Sequence, residues 1–196
     1  MTPHPAAEAP TVPTHPRLRR GAGLLAHRWP TWLALSVAGA NLLDGGDGTE
    51  LAFVLVIAGV GYLAVTVLER PQATWPLAVL LFSGVVALRA VGADEQAVLL
   101  VLGGALAVVG LANGSLRRPG PAALQLPAAV VSVGAGLVGT GVSPSTGLVV
   151  VAAGLIAHSA WDAYHLWLDR IVARSFAEWC GVLDLTLGVG ILVLVV

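Results

Sequence analysis

The chain has 196 residues, 57% of them hydrophobic and 11% charged, with a formal net charge of −1. Soluble domains carry about 25% charged residues, so this composition, with a mean hydropathy of +0.86, excludes a soluble globular domain. All ten basic residues are arginine, which excludes a lysine Schiff base, and the single Cys180 excludes an intrachain disulfide or a cysteine-rich metal cluster.

Residues 1–28 hold Pro3, Pro5, Pro10, Pro13 and Pro16 with few apolar side chains. They read as a disordered, Pro/Arg-rich cytoplasmic arm in which His4 and His15 are bystanders. The rival reading is a secretory signal, since Ala38-Gly39-Ala40 resembles a small-residue cleavage site. Residues 29–196 read as a membrane domain. A span needs about 20 apolar residues, and seven segments qualify: 29–43, 50–68, 74–92, 95–113, 124–142, 146–166 and 174–196. The first is short, begins Trp29-Pro30 and carries Asn41; if it is cleaved or interfacial, six spans are left. Turn residues punctuate the gaps: Asp44-Gly-Gly-Asp-Gly48, Arg70-Pro71, the 113–121 loop and Ser143-Pro-Ser145. The expected fold is thus all-α, a polytopic integral membrane helix bundle of seven transmembrane helices.

Arginine placement tests that map. With a cytoplasmic N-terminus and seven crossings, Arg17, Arg19, Arg20, Arg28, Arg70, Arg117, Arg118, Arg170 and Arg174 fall inside, and only Arg89 lies near the outer face. That split is what the positive-inside rule predicts. It implies a plasma (inner) membrane protein with a periplasmic or extracellular C-terminus. Most of the six tryptophans sit near span boundaries, as an aromatic belt would.

Within the spans, Ser132, Gly136 and Thr140 form one small-residue ladder, and Ala135, Gly139 and Ser143 its neighbour. Such ladders let helices approach closely, within the chain or toward a protein partner or second copy. Ser83 is expected to bond its own helix backbone, and Asp47 or Thr49 to cap the second span.

The sixth span carries His158, Asp162, His165 and Asp169 at offsets i, i+4, i+7 and i+11. These fall within an arc of roughly 60° on one helix face. Ionisable groups at membrane depth are costly and point to function. In the seventh span Ala177, Gly181, Asp184 and Gly188 repeat the spacing, so this seam should face protein. A hairpin folded near residue 171 sets His158 level with Asp184, and Asp162 level with Cys180. Asp184 would then lie about 15 Å from the turn, near mid-membrane. His158 and Asp184 should therefore come within hydrogen-bonding reach, directly or through one water, while Cys180 reads as an inert apolar residue.

Three chemistries fit that cluster. It can be interhelical glue in a structural or partner-binding protein. It can ligate a divalent transition metal through His158, Asp162, His165 and Asp184. It can relay protons, as in a carrier for protons or a small solute. The chain has no Gly-rich phosphate loop, nucleophile elbow or nucleic-acid module, so its expected surroundings are the lipid bilayer and no nucleic acid. The stretch Ala157-His-Ser-Ala-Trp-Asp-Ala-Tyr-His165, with Arg174-Ser-Phe-Ala-Glu-Trp-Cys180 and Asp184, resembles a pattern in a family of uncharacterised bacterial multispanning membrane proteins, which implies no activity. In span number and a paired late-helix histidine motif the chain also resembles the seven-span metal hydrolases that include alkaline ceramidases and adiponectin-type receptors. That resemblance implies a metal-dependent membrane hydrolase acting on a lipid-like substrate. The chain departs from it in lacking a third membrane histidine on an early span, and in spacing its pair by seven rather than four.

Overall fold

The computed structural model describes residues 27–45 and 48–195; the arm before residue 27 and Asp47 lie outside them. The described residues form seven α-helices and no strand: α1 (Trp29–Leu43), α2 (Gly48–Leu68), α3 (Thr74–Ala90), α4 (Glu95–Ala112), α5 (Pro121–Gly141), α6 (Pro144–Leu168) and α7 (Arg174–Val195). Single 3₁₀ turns, Pro71–Ala73 and Ser115–Arg117, lead into α3 and α5. Six helices are long and apolar enough to cross a membrane. The exception is α1, whose 15 residues reach only about 22 Å against a hydrocarbon core of about 30 Å.

The boundaries follow local chemistry. Proline opens α1, α5 and α6, where its missing N–H costs nothing. Asp94 caps α4 by accepting from the Ala97 backbone N–H at 2.9 Å. The C-cap of α6 is Asp169, in the left-handed region at φ 50°. This removes Asp169 from the polar stripe expected on the sixth span: it is an exposed cap. Ser83 donates to the Val79 carbonyl at 2.6 Å, as expected of a mid-span hydroxyl.

Packing is centred on α2. Its sequence is apolar all round, which suits a helix buried on every side, and it touches α3, α4, α5 and α6. The most extensive pair is the α6–α7 hairpin. Small residues set the close approaches. Ser132 and Gly136 of α5 are buried, and a Cβ on Gly136 would lie 2.7 Å from the Ala52 carbonyl of α2. Gly139 of α5 meets Gly147 of α6 backbone to backbone. The α7 seam faces α6 as its spacing predicts: a Cβ on Gly188 would lie 2.9 Å from the Ala152 carbonyl, and one on Gly181 3.0 Å from the Asp162 Cβ. Thr140 is exposed, so that ladder ends one step early.

The two ends of the bundle differ in charge. Arg28 and Thr31 bond Glu178 near the start of α7, and Leu42 packs against Gly190 near its end, so α1 and α7 run parallel. Arg28, Arg70, Arg117, Arg118, Arg170 and Arg174 all belong to the end where α7 begins, tied together by Arg118–Glu69 at 2.7 Å and by the Ala173 N–H donating to Thr74 Oγ1 at 3.1 Å. At the opposite end Arg89 grips both oxygens of Glu50 at 2.7 and 2.8 Å and Glu95 at 2.8 Å, and lies over the Phe53 ring. Around the waist, α3, α4 and α5 present Val79, Leu80, Val86, Val101, Val108 and Val131 outward, an apolar girdle of the kind lipid covers.

Candidate metal centre

The apolar run that opens α6 gives way at His158, and Asp162 follows one helical turn later. On α7, Cys180 and Asp184 have the same separation. Residues four apart lie on one helix face, so each helix contributes a pair. The antiparallel register then brings the pairs together, with Gly181 leaving room for the Asp162 side chain. One ligand atom from each of His158, Asp162, Cys180 and Asp184 lies within 4.8 Å of the other three. All four residues are buried, Asp162 and Asp184 at 0% exposure.

Hydrogen bonding accounts for only part of this cluster. The Tyr62 hydroxyl on α2 donates to Asp162 Oδ1. The Cys180 thiol lies 3.9 Å from Asp184 Oδ2, the next turn along. Both ring nitrogens of His158, Asp162 Oδ2 and Asp184 Oδ1 are buried without a partner. A buried polar group without a partner costs about 1–3 kcal/mol, and more when charged. Native structures contain few such groups, and each calls for an explanation.

His158 and Asp184 share the buried centre, with ligand atoms within 4.8 Å of each other and no direct hydrogen bond between them. The sequence-based expectations are corrected at two residues, His165 and Cys180. His165 stands apart from the cluster: its Nδ1–H donates to the Trp161 carbonyl at 2.9 Å, and its Nε2 accepts from the Gln125 amide at 2.6 Å. Seven positions apart, His158 and His165 are offset by about 10 Å along the helix, and His165 is not among the clustered ligands. Cys180, expected to be inert, joins the cluster instead. Tyr62 and Gln125 were not singled out in the sequence. Each left a faint signal, as the one tyrosine of its apolar segment and the one glutamine of its own.

Aromatic rings pack the side of this cluster nearer the arginine-rich end. Tyr62 meets His158 and His165 edge-on, both at 5.2 Å between centroids, and Trp75 and Phe176 meet edge-on beyond it. The centre is thus shielded toward the arginine-rich end by rings and by the Gln125–His165 pair.

The donor set is one nitrogen, two carboxylate oxygens and one sulfur. Imidazole and thiolate favour zinc and its first-row neighbours over magnesium or calcium. A tetrahedral ion with bonds of about 2.0–2.3 Å sets its ligands about 3.3–3.8 Å apart. Side-chain movements of about 1 Å would close the observed spread. Asp162, Asp184 and a Cys180 thiolate would set three negative ligands against a divalent ion and leave the centre at −1, a charge that the Tyr62 hydroxyl donating to Asp162 would offset in part. Comparison with known protein families, with curated proteins and with solved structures finds no match.

Proposed function

We propose that this chain is an integral plasma (inner) membrane protein that crosses the bilayer seven times and binds one divalent transition-metal ion in its α6–α7 hairpin. His158, Asp162, Cys180 and Asp184 are the ligands, and Tyr62 orients Asp162 through its free oxygen, as outer partners of metal ligands do. The observation that carries this reading is the gathering of one ligand atom each from His158, Asp162, Cys180 and Asp184 within 4.8 Å, three of these residues also carrying buried polar atoms with no partner. Interhelical glue would need those atoms bonded to each other. One ion satisfies an atom of each ligand at once.

Four protein ligands close a tetrahedral shell, whereas hydrolytic zinc sites keep three and leave a position for water. The centre therefore binds its ion and fastens the hairpin, and the hydrolase reading has no open coordination position to rest on. Metal analysis of protein purified in detergent tests this. About one equivalent of zinc, iron, cobalt or manganese per chain is expected, and a protein that stays below a tenth of an equivalent after incubation with these ions refutes it.

The seventh crossing rests on α1. Its contacts run from the Thr31–Glu178 hydrogen bond to the packing of Leu42 on Gly190, so it accompanies α7 through most of that helix's height despite its length. A bilayer thins locally around a short span at modest cost. The arginine asymmetry supports a cytoplasmic N-terminus and an outer C-terminus. Reporter fusions at the two termini should report opposite sides of the membrane; the same side for both would remove α1 from the spans.

A further inference from the structure

We propose that the ion exchanges with water on the Glu50–Arg89 side of the bundle, through a cleft between α1, α2, α3 and α7 that ends on Cys180. This rests on the metal reading above and gives it a direction.

Two cavities lie end to end along that line. The outer one, of about 370 Å³, has Asn41, Glu50 and Arg89 on its wall. The inner one, of about 30 Å³, is a chamber lined by Tyr62 and Cys180, large enough for one or two waters. Val54, Ile57, Phe82, Trp179 and Leu183 border both. Cys180 and Tyr62 therefore form the shared wall: on one side they bound the chamber, and on the other they meet Asp162 and Asp184.

Phe82 and Trp179 meet edge-on at 6.5 Å between centroids where the two cavities adjoin. The Trp179 indole N–H, in a residue only 8% exposed, is buried with no partner. A lone donor on an otherwise apolar constriction is a station for a water travelling with the ion. Rotation of these two rings would join the chamber to the cleft without moving a helix.

Charge and closure set the direction. The described residues of the outer end carry Asp44, Glu50, Asp94 and Glu95 against Arg89 alone, a field that concentrates cations. The opposite end carries the arginines, and there the chamber is closed by Thr74 and Val172, 2% and 1% exposed. A third cavity, about 290 Å³ between α5 and α6, also reaches His158. It opens past Leu124 and Val131 on the apolar girdle, where no hydrated ion is available.

Cys180 is the chain's one cysteine, so the native protein reports on this route without engineering. Metal-stripped protein in sealed vesicles of known orientation is treated with a small, charged, membrane-impermeant methanethiosulfonate. The expected result is modification of Cys180 at least about tenfold faster from the Glu50–Arg89 side, slowed at least about tenfold by saturating zinc. Val54→Trp, which fills the junction of the two cavities, should slow both the labelling and zinc uptake. Faster labelling from the arginine-rich side, no labelling from either side, or labelling unchanged in wild-type-like Val54→Trp protein overturns the route. Zinc protection alongside the first or third of these leaves the metal centre standing, and where nothing labels, the metal content of the purified protein decides it. Outer-side labelling that neither zinc, cobalt nor cadmium slows overturns the exchange and the metal centre together.

Discussion

His158→Ala will weaken binding of the hairpin's ion by about 100-fold or more. Structural zinc sites hold their ion with about 10–16 kcal/mol from four ligands, so one ligand carries about 3 kcal/mol, and 1.4 kcal/mol is tenfold. The loss should also appear as stability. An ion at 100 times its dissociation constant stabilises the folded state by about 2.7 kcal/mol. Wild-type protein in detergent should therefore unfold at a clearly higher temperature with zinc than with chelator, and His158→Ala should show little of that shift. The chelated state separates the metal reading from glue. If His158 and Asp184 held the helices together directly, each single change to leucine would destabilise metal-free protein and the double change would recover part of the loss. In the structure they do not bond each other, so His158→Leu with Asp184→Leu should leave the chelated protein at least as stable as wild type. A zinc-induced shift in His158→Ala equal to that of wild type would sink the assignment of His158 as a ligand.

Gly147→Leu will disrupt the junction of α5 and α6. Gly147 and Gly139 meet backbone to backbone, and a side chain on Gly147 would be driven into the Gly139 carbonyl. Neither backbone can yield as a flexible side chain does, so the helices must separate. Overpacking of this kind costs about 1–3 kcal/mol, occasionally more, and the upper end is expected here. Gly84→Leu on α3 is the matched control, because nothing lies within 4 Å of the added Cβ, and leucine favours the helix over glycine by up to about 1 kcal/mol. Thermal unfolding of both variants at saturating zinc decides the matter. Equal stability would mean that the glycine contact does not set the helix spacing.

The bundle was largely legible because long apolar helices with sharp breaks follow a simple code. Long apolar runs, broken by Pro71, Gly114, Pro121 and Pro144, mark helices whose backbone must be satisfied internally. The α6–α7 register was legible for a related reason: only the seam with Gly181 and Gly188 lets α7 approach the carboxylate side of α6. What escaped was the third dimension. Tyr62 sits on a helix with no polar face, so no periodicity says which way its hydroxyl points. Gln125 has the same defect, being one amide near the start of α5. The hairpin register already sets Cys180 level with Asp162, and its residue type, read as apolar, hid its part in the cluster; His165 joins the stripe because a stripe fixes angle around an axis but not depth. An i, i+7 pair shares a face and still spans two turns.

The parallel run of α1 beside α7 bears on the order in which the molecule is put together. Ala34 and Ala38 of α1 are fully buried, and α7 is the main helix they pack on. At least 130 residues of chain, from the end of α1 at Leu43 to the start of α7 at Arg174, separate the two partners. Among the described residues, α1 therefore gains its main packing face only once α7 is in place. The bundle is then closed by its two ends meeting, as a clasp closes a necklace. A chain released before residue 174 would lack the clasp and the Cys180–Asp184 half of the centre together, so a truncated product would carry both an undocked N-terminal helix and a metal site with half its ligands.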